Sequence, residues 1–492
     1  MPRIRDGFAE CRRYKSLKEV LEGFVEYVMR LWERYIGDKQ FYYRILRIAI
    51  PIMVQNAFSN LVGLLDNLMI GRLGTNALSG VAIANQLIFI FYLLIFGSVA
   101  GAGIFTAQYY GMKDEEGVRN TFRFKILLVS AVTIIGIAVF ATGSDWMIGQ
   151  FLKGEGSAND AMETLRIGKG YMSIMLIGLF PNAISQAFAS TLRETGETKL
   201  PMKAVVASVL VNLVGNFLLI YGYFGFPRLG AQGAAMATVL SRLVELAILV
   251  IFTYIRREKH TFVNGAFRHI LVSRELAGRF FMKCLPLMAN ETLWAVGIAF
   301  MNQCYSYRSL NAVAANNIQQ TLWNFLGVAF LAMGDGVGII TGHTLGSGDF
   351  DKAKKDSVKL IAFTCFGGAV FGALEVLISS YFPMLYNTSD AVRRMASQFI
   401  VISGLLMPLY AYTHATYFTI RAGGRVFITM LFDSCFVWLI SVPVAYVLSR
   451  YTVIDIVKMY LFVQCLEIIK CIIGGTMVHK GIWIRKIVGD SN

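Results

Sequence analysis

Charge is what this sequence is short of. Asp, Glu, Lys and Arg make up 16% of its 492 residues, against about a quarter in a soluble domain. Apolar residues make up 56%, and the mean hydropathy is +0.56. That composition excludes a soluble enzyme. Proline is also scarce, at nine residues, and the 46 glycines are scattered through apolar stretches, which excludes collagen-like, mucin-like and disordered chains. The seven cysteines (Cys11, Cys284, Cys304, Cys365, Cys435, Cys465 and Cys471) have neither CxxC spacing nor an even extracellular set. Neither a zinc site nor a disulfide framework is expected, and they read as small buried hydrophobes. His343 and His414 have no ligand partner at helical spacing. HExxH and GxSxG are both missing, which removes the usual signatures of a membrane-embedded hydrolase. Residues 1–40 lack the short apolar core and cleavage site of a signal peptide, so the first apolar span is expected to direct insertion.

What the sequence has instead is a series of apolar runs, each long enough for a spanning helix of about 20 residues. They lie near 45–70, 78–108, 121–142, 165–190, 202–222, 232–255, 282–304, 312–342, 357–382, 395–420, 426–448 and 456–477, twelve in all. The net charge of +15 is concentrated between these runs, which suits the positive-inside rule better than nucleic-acid binding. Arg119, Arg123, Arg256, Arg257, Lys352, Lys354 and Lys355 mark inner loops, and Asp145, Glu155, Asp160 and Glu163 make one outer loop acidic. Both termini are therefore expected in the cytoplasm. The chain also repeats itself. Pro51 and Pro286, Ala77 and Ala312, Gly103 and Gly338, Thr106 and Thr341, Gly111 and Gly346, and Asp114 and Asp349 all differ by 235. The offset slips to 228 for Arg193 with Arg421 and Gly196 with Gly424, and to 222 for Glu245 with Glu467. Six spans per repeat insert in the same sense and are related by an axis along the membrane normal, as in two-lobed transporters.

The expected fold is an all-α integral membrane protein of twelve transmembrane helices in two six-helix repeat lobes. Its parts are an amphipathic cytoplasmic extension (1–41), a first lobe (42–255), a cytoplasmic linker (256–281), a second lobe (282–478) and a cytoplasmic tail (479–492). In the extension, Phe8 to Trp32 alternates charge with Val20, Leu21, Phe24, Val25, Val28 and Leu31, the pattern of a helix lying on the inner leaflet.

The segment PIMVQNAFSNLVGLLDNLMIGRLGTNALSGVAIANQ (Pro51 to Gln86) resembles the first helix pair of the multidrug and toxic compound extrusion (MATE) transporters. GAGIFTAQYYGMKD (Gly101 to Asp114), GVGIITGHTLGSGD (Gly336 to Asp349), LRETGETKLP (Leu192 to Pro201), LGAQGAAMAT (Leu229 to Thr238) and LPLMANETLW (Leu285 to Trp294) extend the likeness from about residue 42 almost to the end. The resemblance implies a monomeric exporter of small organic cations or drugs in the plasma membrane, driven by inward Na+ or H+, with no other cofactor and no nucleic-acid partner. The rival expectation is a flippase for lipids or lipid-linked oligosaccharides, but anionic substrates favour basic cavity residues, and the charges inside these spans are mostly acidic.

Asp66 lies about 15 residues, roughly 22 Å of helix, beyond Pro51, inside an apolar span. A carboxylate there marks an ion or proton path, and it resembles the first-helix aspartate to which the family's coupling is attributed. Asn212 and Asn216 stand four apart on the fifth span, on one helix face. They match an asparagine pair of the family, and their amide oxygens would complete a Na+ site with Asp66. Tyr171, Asn182 and Thr106 are lesser members of that group. Glu291, just after Pro286, is the corresponding acid of the second half: with Asn290 and Gln319 it is a candidate for holding substrate or a second-lobe cation, the alternative being a buried hydrogen-bonding partner of Asn290, Asn316 or Gln319. Asp335 and Asp433 would add negative potential for a cation. Arg242 with Glu245 and Glu467 with Lys470 read as self-neutralising i, i+3 pairs. The 36 Phe, 22 Tyr and 21 Met suit both a soft cavity for flat cations and ordinary lipid-facing helices. Gly196, Gly423 and Gly424 read as hinges or helix ends.

Overall fold

A computed structural model describes residues 17–152 and 158–489. Cys11, Glu155 and the extension before Leu17 lie outside these residues, as do the side chains of Val20, Leu21, Val25, Leu31 and Trp32. A helix along the extension, α1 (Leu17–Tyr35), exposes Phe24 and Val28. The first lobe follows as α2 (Lys39–Gly71), α3 (Thr75–Met112), α4 (Glu115–Phe151), α5 (Ala158–Glu194), α6 (Lys199–Tyr221) and α7 (Ala231–Ile255). The second lobe is α8 (Arg274–Ser306), α9 (Leu310–Leu326), α10 (Val328–Gly346), α11 (Phe350–Ile378), α12 (Asp390–Ala422), α13 (Val426–Tyr451), α14 (Ile456–Cys465) and α15 (Glu467–His479). No strand occurs among the described residues.

Hydrocarbon offers backbone groups no partners, so each crossing must satisfy its own, and a helix does so. Eleven of these helices are long and apolar enough to cross a membrane. The twelfth expected crossing is split at Leu466 into α14 and α15, each too short alone, and the eighth is split at Gly327 into α9 and α10. The helices are also longer than the apolar runs. The second lobe begins at Arg274, eight residues before the expected boundary, because Ser273 caps it by accepting from the Leu276 N–H at 3.4 Å.

The repeat is visible in the helix ends. Asp114 and Asp349 are both N-caps, accepting from the backbone N–H three residues on at 2.9 and 3.0 Å. Gly196 and Gly424, mates in the repeat, take φ of +81° and +74°, the left-handed conformation that ends a helix. They serve as helix ends.

Helices alternate in direction, so Lys39 and His479 share one face of the molecule, called here the terminal face. Near that face the lobes touch. Ile45, Ile48 and Ile52 of α2 pack into a core with Val337, Ile340 and Phe418 of the second lobe. Glycines allow α3 and α10 to meet backbone to backbone: a Cβ on Gly111 would lie 2.0 Å from the His343 carbonyl oxygen, and one on Gly346 would lie 2.0 Å from that of Gln108. Gln108 and His343 are themselves repeat mates, so the contact is self-complementary about the pseudo-twofold axis. The C-terminal segment lies across this junction and is more than a tail. Trp483 is fully buried in the core that joins α2 to the second lobe, and Val488 in one that joins the first lobe to α8. The Gln108 amide donates to the carbonyls of Ala422 (2.9 Å) and Arg485 (3.2 Å), and its oxygen accepts from the Ile487 N–H at 2.8 Å.

Candidate functional site

Asp66 and the asparagine pair come together near the far ends of α2 and α6. The Asn216 amide donates to Asp66 Oδ1 at 2.5 Å and to Asn212 Oδ1 at 3.1 Å, and Asn212 donates to Thr238 Oγ1 of α7 at 3.1 Å. The Asn216 side-chain oxygen is buried with no hydrogen-bond partner. The Asp66 and Asn212 oxygens thus both meet the Asn216 amide nitrogen, and turning that amide over would put its unpartnered oxygen beside theirs, the donor chemistry of a hard monovalent cation. Arg242, whose charge reaches Asp66, is already paired with Glu245 at 2.9 Å. Tyr171 donates to Asn85 at 3.1 Å and stands within electrostatic reach of Asp66. Asn182 is buried but makes no bond to this network. Thr106 is not part of the centre either: it sits near the terminal end of α3, its hydroxyl turned back to the Ala102 carbonyl.

The second lobe is arranged differently. Asn290 donates to Asp433 Oδ2 at 3.1 Å and to the Tyr417 hydroxyl at 3.4 Å, while its own oxygen accepts from Ser434 Oγ at 2.7 Å. Asp433 lies in a π-helical segment, Leu431–Cys435, of α13. Its carboxylate meets the ammonium of Lys470 at 3.2 Å, closer than Lys470 approaches Glu467, 3.7 Å away. The expected self-contained Glu467–Lys470 pair is therefore a cross-helix triad in which two carboxylates share one ammonium. The Asn290 amide protons beside Glu291 are thus committed to Asp433 and Tyr417. Asn316 and Gln319, the other expected partners of Glu291, are engaged elsewhere: Asn316 donates to Asn302 at 3.0 Å, and Gln319 donates to Ser403 at 2.8 Å. Ser403 in turn donates to Glu375 at 3.0 Å. Glu375 is fully buried, and its second oxygen has no partner. The sequence reading passed over it, although its surroundings in ALEVLIS are as apolar as those of Asp66.

Asp335 lines a third place, a cavity of about 80 Å³ on the pseudo-axis between the lobes. Its walls are repeat mates: Gly103 faces Gly338, Ile104 faces Ile339, Ala100 faces Asp335 and Arg193 faces Arg421. Glu194 lies on the rim, holding the fully buried Lys125, accepting from Ser190 at 2.6 Å and meeting His343 Nε2 through its backbone oxygen at 2.6 Å. Asp335 thus shares this cavity with Arg193 and Arg421. His414 packs on Tyr417 and Phe418. No group of three His, Cys, Asp or Glu suited to a metal occurs among the described residues. Cys284 and Cys304 are buried as expected, but Cys365, Cys435, Cys465 and Cys471 are only half-buried.

The MatE family profile matches residues 51–218 and 286–447, one segment in each lobe. The chain belongs to the MatE family of transporters. Among its relatives, a probable multidrug resistance protein of Bacillus subtilis, YoeA, is 25% identical over 84% of this chain and 88% of its own. The probable multidrug resistance protein NorM of Thermotoga maritima is 24% identical over 83% and 85%. Two solved structures share the fold. An outward-facing multidrug resistance MATE transporter has a TM-score of 0.82 at 20% identity, over 92% of this chain and 97% of that one. A MOP superfamily transporter from Pyrococcus furiosus has a TM-score of 0.79 at the same identity and coverage. The two profile segments correspond to the two halves of the 235-residue repeat. As a MatE transporter the chain is an integral membrane protein, and Asp66, Asn212, Asn216, Asn290 and Asp433 all lie within the matched segments.

Proposed function

We propose that this MatE protein is a secondary active antiporter that exports small organic cations in exchange for inward Na+ or H+, by alternating access of the cleft between its lobes. The observation that carries this reading is the Asp66 centre. Its carboxylate is met by amide donors instead of a free cation, and the Asn216 oxygen beside it lacks a partner. A proton on Asp66 suits such a centre, and so does a sodium ion once the Asn216 amide turns its oxygen toward those of Asp66 and Asn212. Either would change how α2, α6 and α7 are held together, because those three helices supply every residue of the network. Coupling requires only that ion and substrate favour different states of the lobes.

The packed junction near the terminal face is the closed inner gate of this cycle, with the termini in the cytoplasm of a plasma-membrane monomer. Glycine-mediated contacts between α3 and α10 suit a surface that must part and re-form, since backbones meet there without interlocking side chains. The flippase alternative has no support among the relatives above. The test is efflux of a fluorescent organic cation from proteoliposomes of one orientation, with sodium and pH gradients imposed separately. Efflux driven by one of the gradients is expected and identifies the ion; flux indifferent to both would exclude antiport.

A further inference from the structure

Away from the gate, the terminal face of the first lobe holds a pocket of about 480 Å³ where the start of α6 meets the end of α7 and the flank of α2. Five basic residues line it: Arg47 of α2, Lys199 and Lys203 of α6, Arg256 at the end of α7, and Lys259 beyond it. One acid is present, Glu197. Its carboxylate is taken by the Lys259 ammonium and the Leu200 N–H, and although burial opposes this, these bonds hold it below the usual carboxylate range. The side chains of Arg47, Lys199, Lys203 and Arg256 have no acidic partner among the described residues, and the N-terminal end of α6 adds its own positive potential to theirs.

The fourth wall is apolar. Ile248 and Phe252, one helical turn apart on α7, lead from Arg256 toward the middle of the membrane, with Leu200 opposite. Two other arginines on this face have partners of their own: Arg44 pairs with Asp356 at 3.1 Å, and Arg123 donates to the carbonyls of Gly265 and Ala266, both at 2.8 Å. Unneutralised cations at headgroup depth above an apolar wall are complementary to a phosphate ester that carries acyl chains. A free anion would leave the apolar wall unused.

We propose that this pocket binds the phosphate headgroup of an anionic phospholipid in the leaflet at the terminal face. The lipid bridges α2, which carries Asp66, to α6, which carries Asn212 and Asn216, at their shared end. There the Thr198 hydroxyl already donates to the Arg47 carbonyl at 3.1 Å, and a bound headgroup reinforces that joint. The site rests on geometry separate from the antiport centre. Binding can be read without transport, so a failure here and a failure of the antiport reading are distinguishable.

The experiment is native mass spectrometry of the full-length protein titrated with phosphatidylglycerol, with phosphatidylcholine and with inorganic phosphate. It compares the wild type, the variant Lys199→Gln/Lys203→Gln/Arg256→Gln, and a control of equal charge loss on α11, Lys352→Gln/Lys354→Gln/Lys355→Gln. Phosphatidylglycerol is expected to bind at least about tenfold more tightly than phosphatidylcholine, and the pocket variant to lose about tenfold while the control loses less than about twofold. If the triple variant proves unstable in a thermal melt, Lys203→Gln/Arg256→Gln is read instead, with the same direction expected. Equal losses in pocket and control variants would reduce the effect to diffuse surface charge and overturn the site. So would the absence of any preference for phosphatidylglycerol, and displacement of the lipid by millimolar inorganic phosphate would reassign the pocket to a soluble anion.

Discussion

The two lobes arise from one repeat, yet two of their half-buried acids, Asp66 and Asp433, are held in opposite ways. In the first lobe Asp66 is bonded to a neutral amide, and the nearest cation, Arg242, is committed to Glu245. In the second lobe Asp433 is tied to Lys470, with Glu467 on the far side of the same ammonium. A carboxylate held by neutral donors can gain a proton or a metal ion without breaking a salt bridge; one paired with a lysine cannot. On the proposed antiport reading, Asp66 is the site of ion exchange and the Asp433 cluster a fixed frame, while Glu375, bonded to the neutral Ser403 hydroxyl, is the second-lobe acid that shares the character of Asp66.

The strongest way to break this comparison is Asp66→Asn. Gradient-driven efflux should fall by roughly tenfold or more, because the ion loses its preference between states, while thermal stability stays near wild type. Asp433→Asn should do the reverse. It strands the Lys470 ammonium, a change that costs roughly 3–5 kcal/mol for a fully buried pair, with less expected here because Glu467 remains. Adding Lys470→Met should recover much of that loss in a thermal melt, as a double-mutant cycle would show, and leave ion dependence intact.

Two changes at the gate sharpen the account of the inner seal. In a background retaining only Cys284, whose thiol donates to the Ser98 carbonyl at 3.2 Å across the lobes, the rate of thiol labelling reports opening. Gly111→Ala pushes a methyl group into the His343 carbonyl and should raise labelling several-fold, overpacking of this kind costing about 1–3 kcal/mol. Gly63→Ala, with nothing within 4 Å, should not raise it. Removing residues 482–492 should raise it less, since the glycine contacts remain. The smallest effect is expected from Glu197→Gln. The Lys259 partner holds the Glu197 carboxyl below its ordinary range, so the pair's stabilisation is present at neutral pH and fades as pH falls through the folded-state value. Wild-type and variant melting temperatures should differ slightly at pH 7 and converge in acid.

The sequence made the first-lobe centre legible because its signals are local: one carboxylate in an apolar run, and two amides four residues apart on one helix face. The Asp433–Lys470 contact was hidden for the opposite reason. Its partners are 37 residues apart on different helices, and Glu467 offered a nearer match at i, i+3. Glu375 carried the same local signal as Asp66 and was overlooked, while its bond to Ser403 is purely tertiary. The repeat exposed the two-lobed architecture, but the breaks at Gly327 and Leu466 fall inside runs that read as single spans. The C-terminal segment reads as a polar tail because its two buried anchors, Trp483 and Val488, are separated by charged residues and enter different cores.

The most direct test of the central claim is the affinity of the purified protein for tetraphenylphosphonium, measured by equilibrium binding across sodium concentration and pH. The wild type and the Asp433→Asn/Lys470→Met variant should both lose affinity as one of the two ions rises, and Asp66→Asn should show a flat response. Ion dependence that survives in Asp66→Asn but disappears in the second-lobe variant would contradict the assignment.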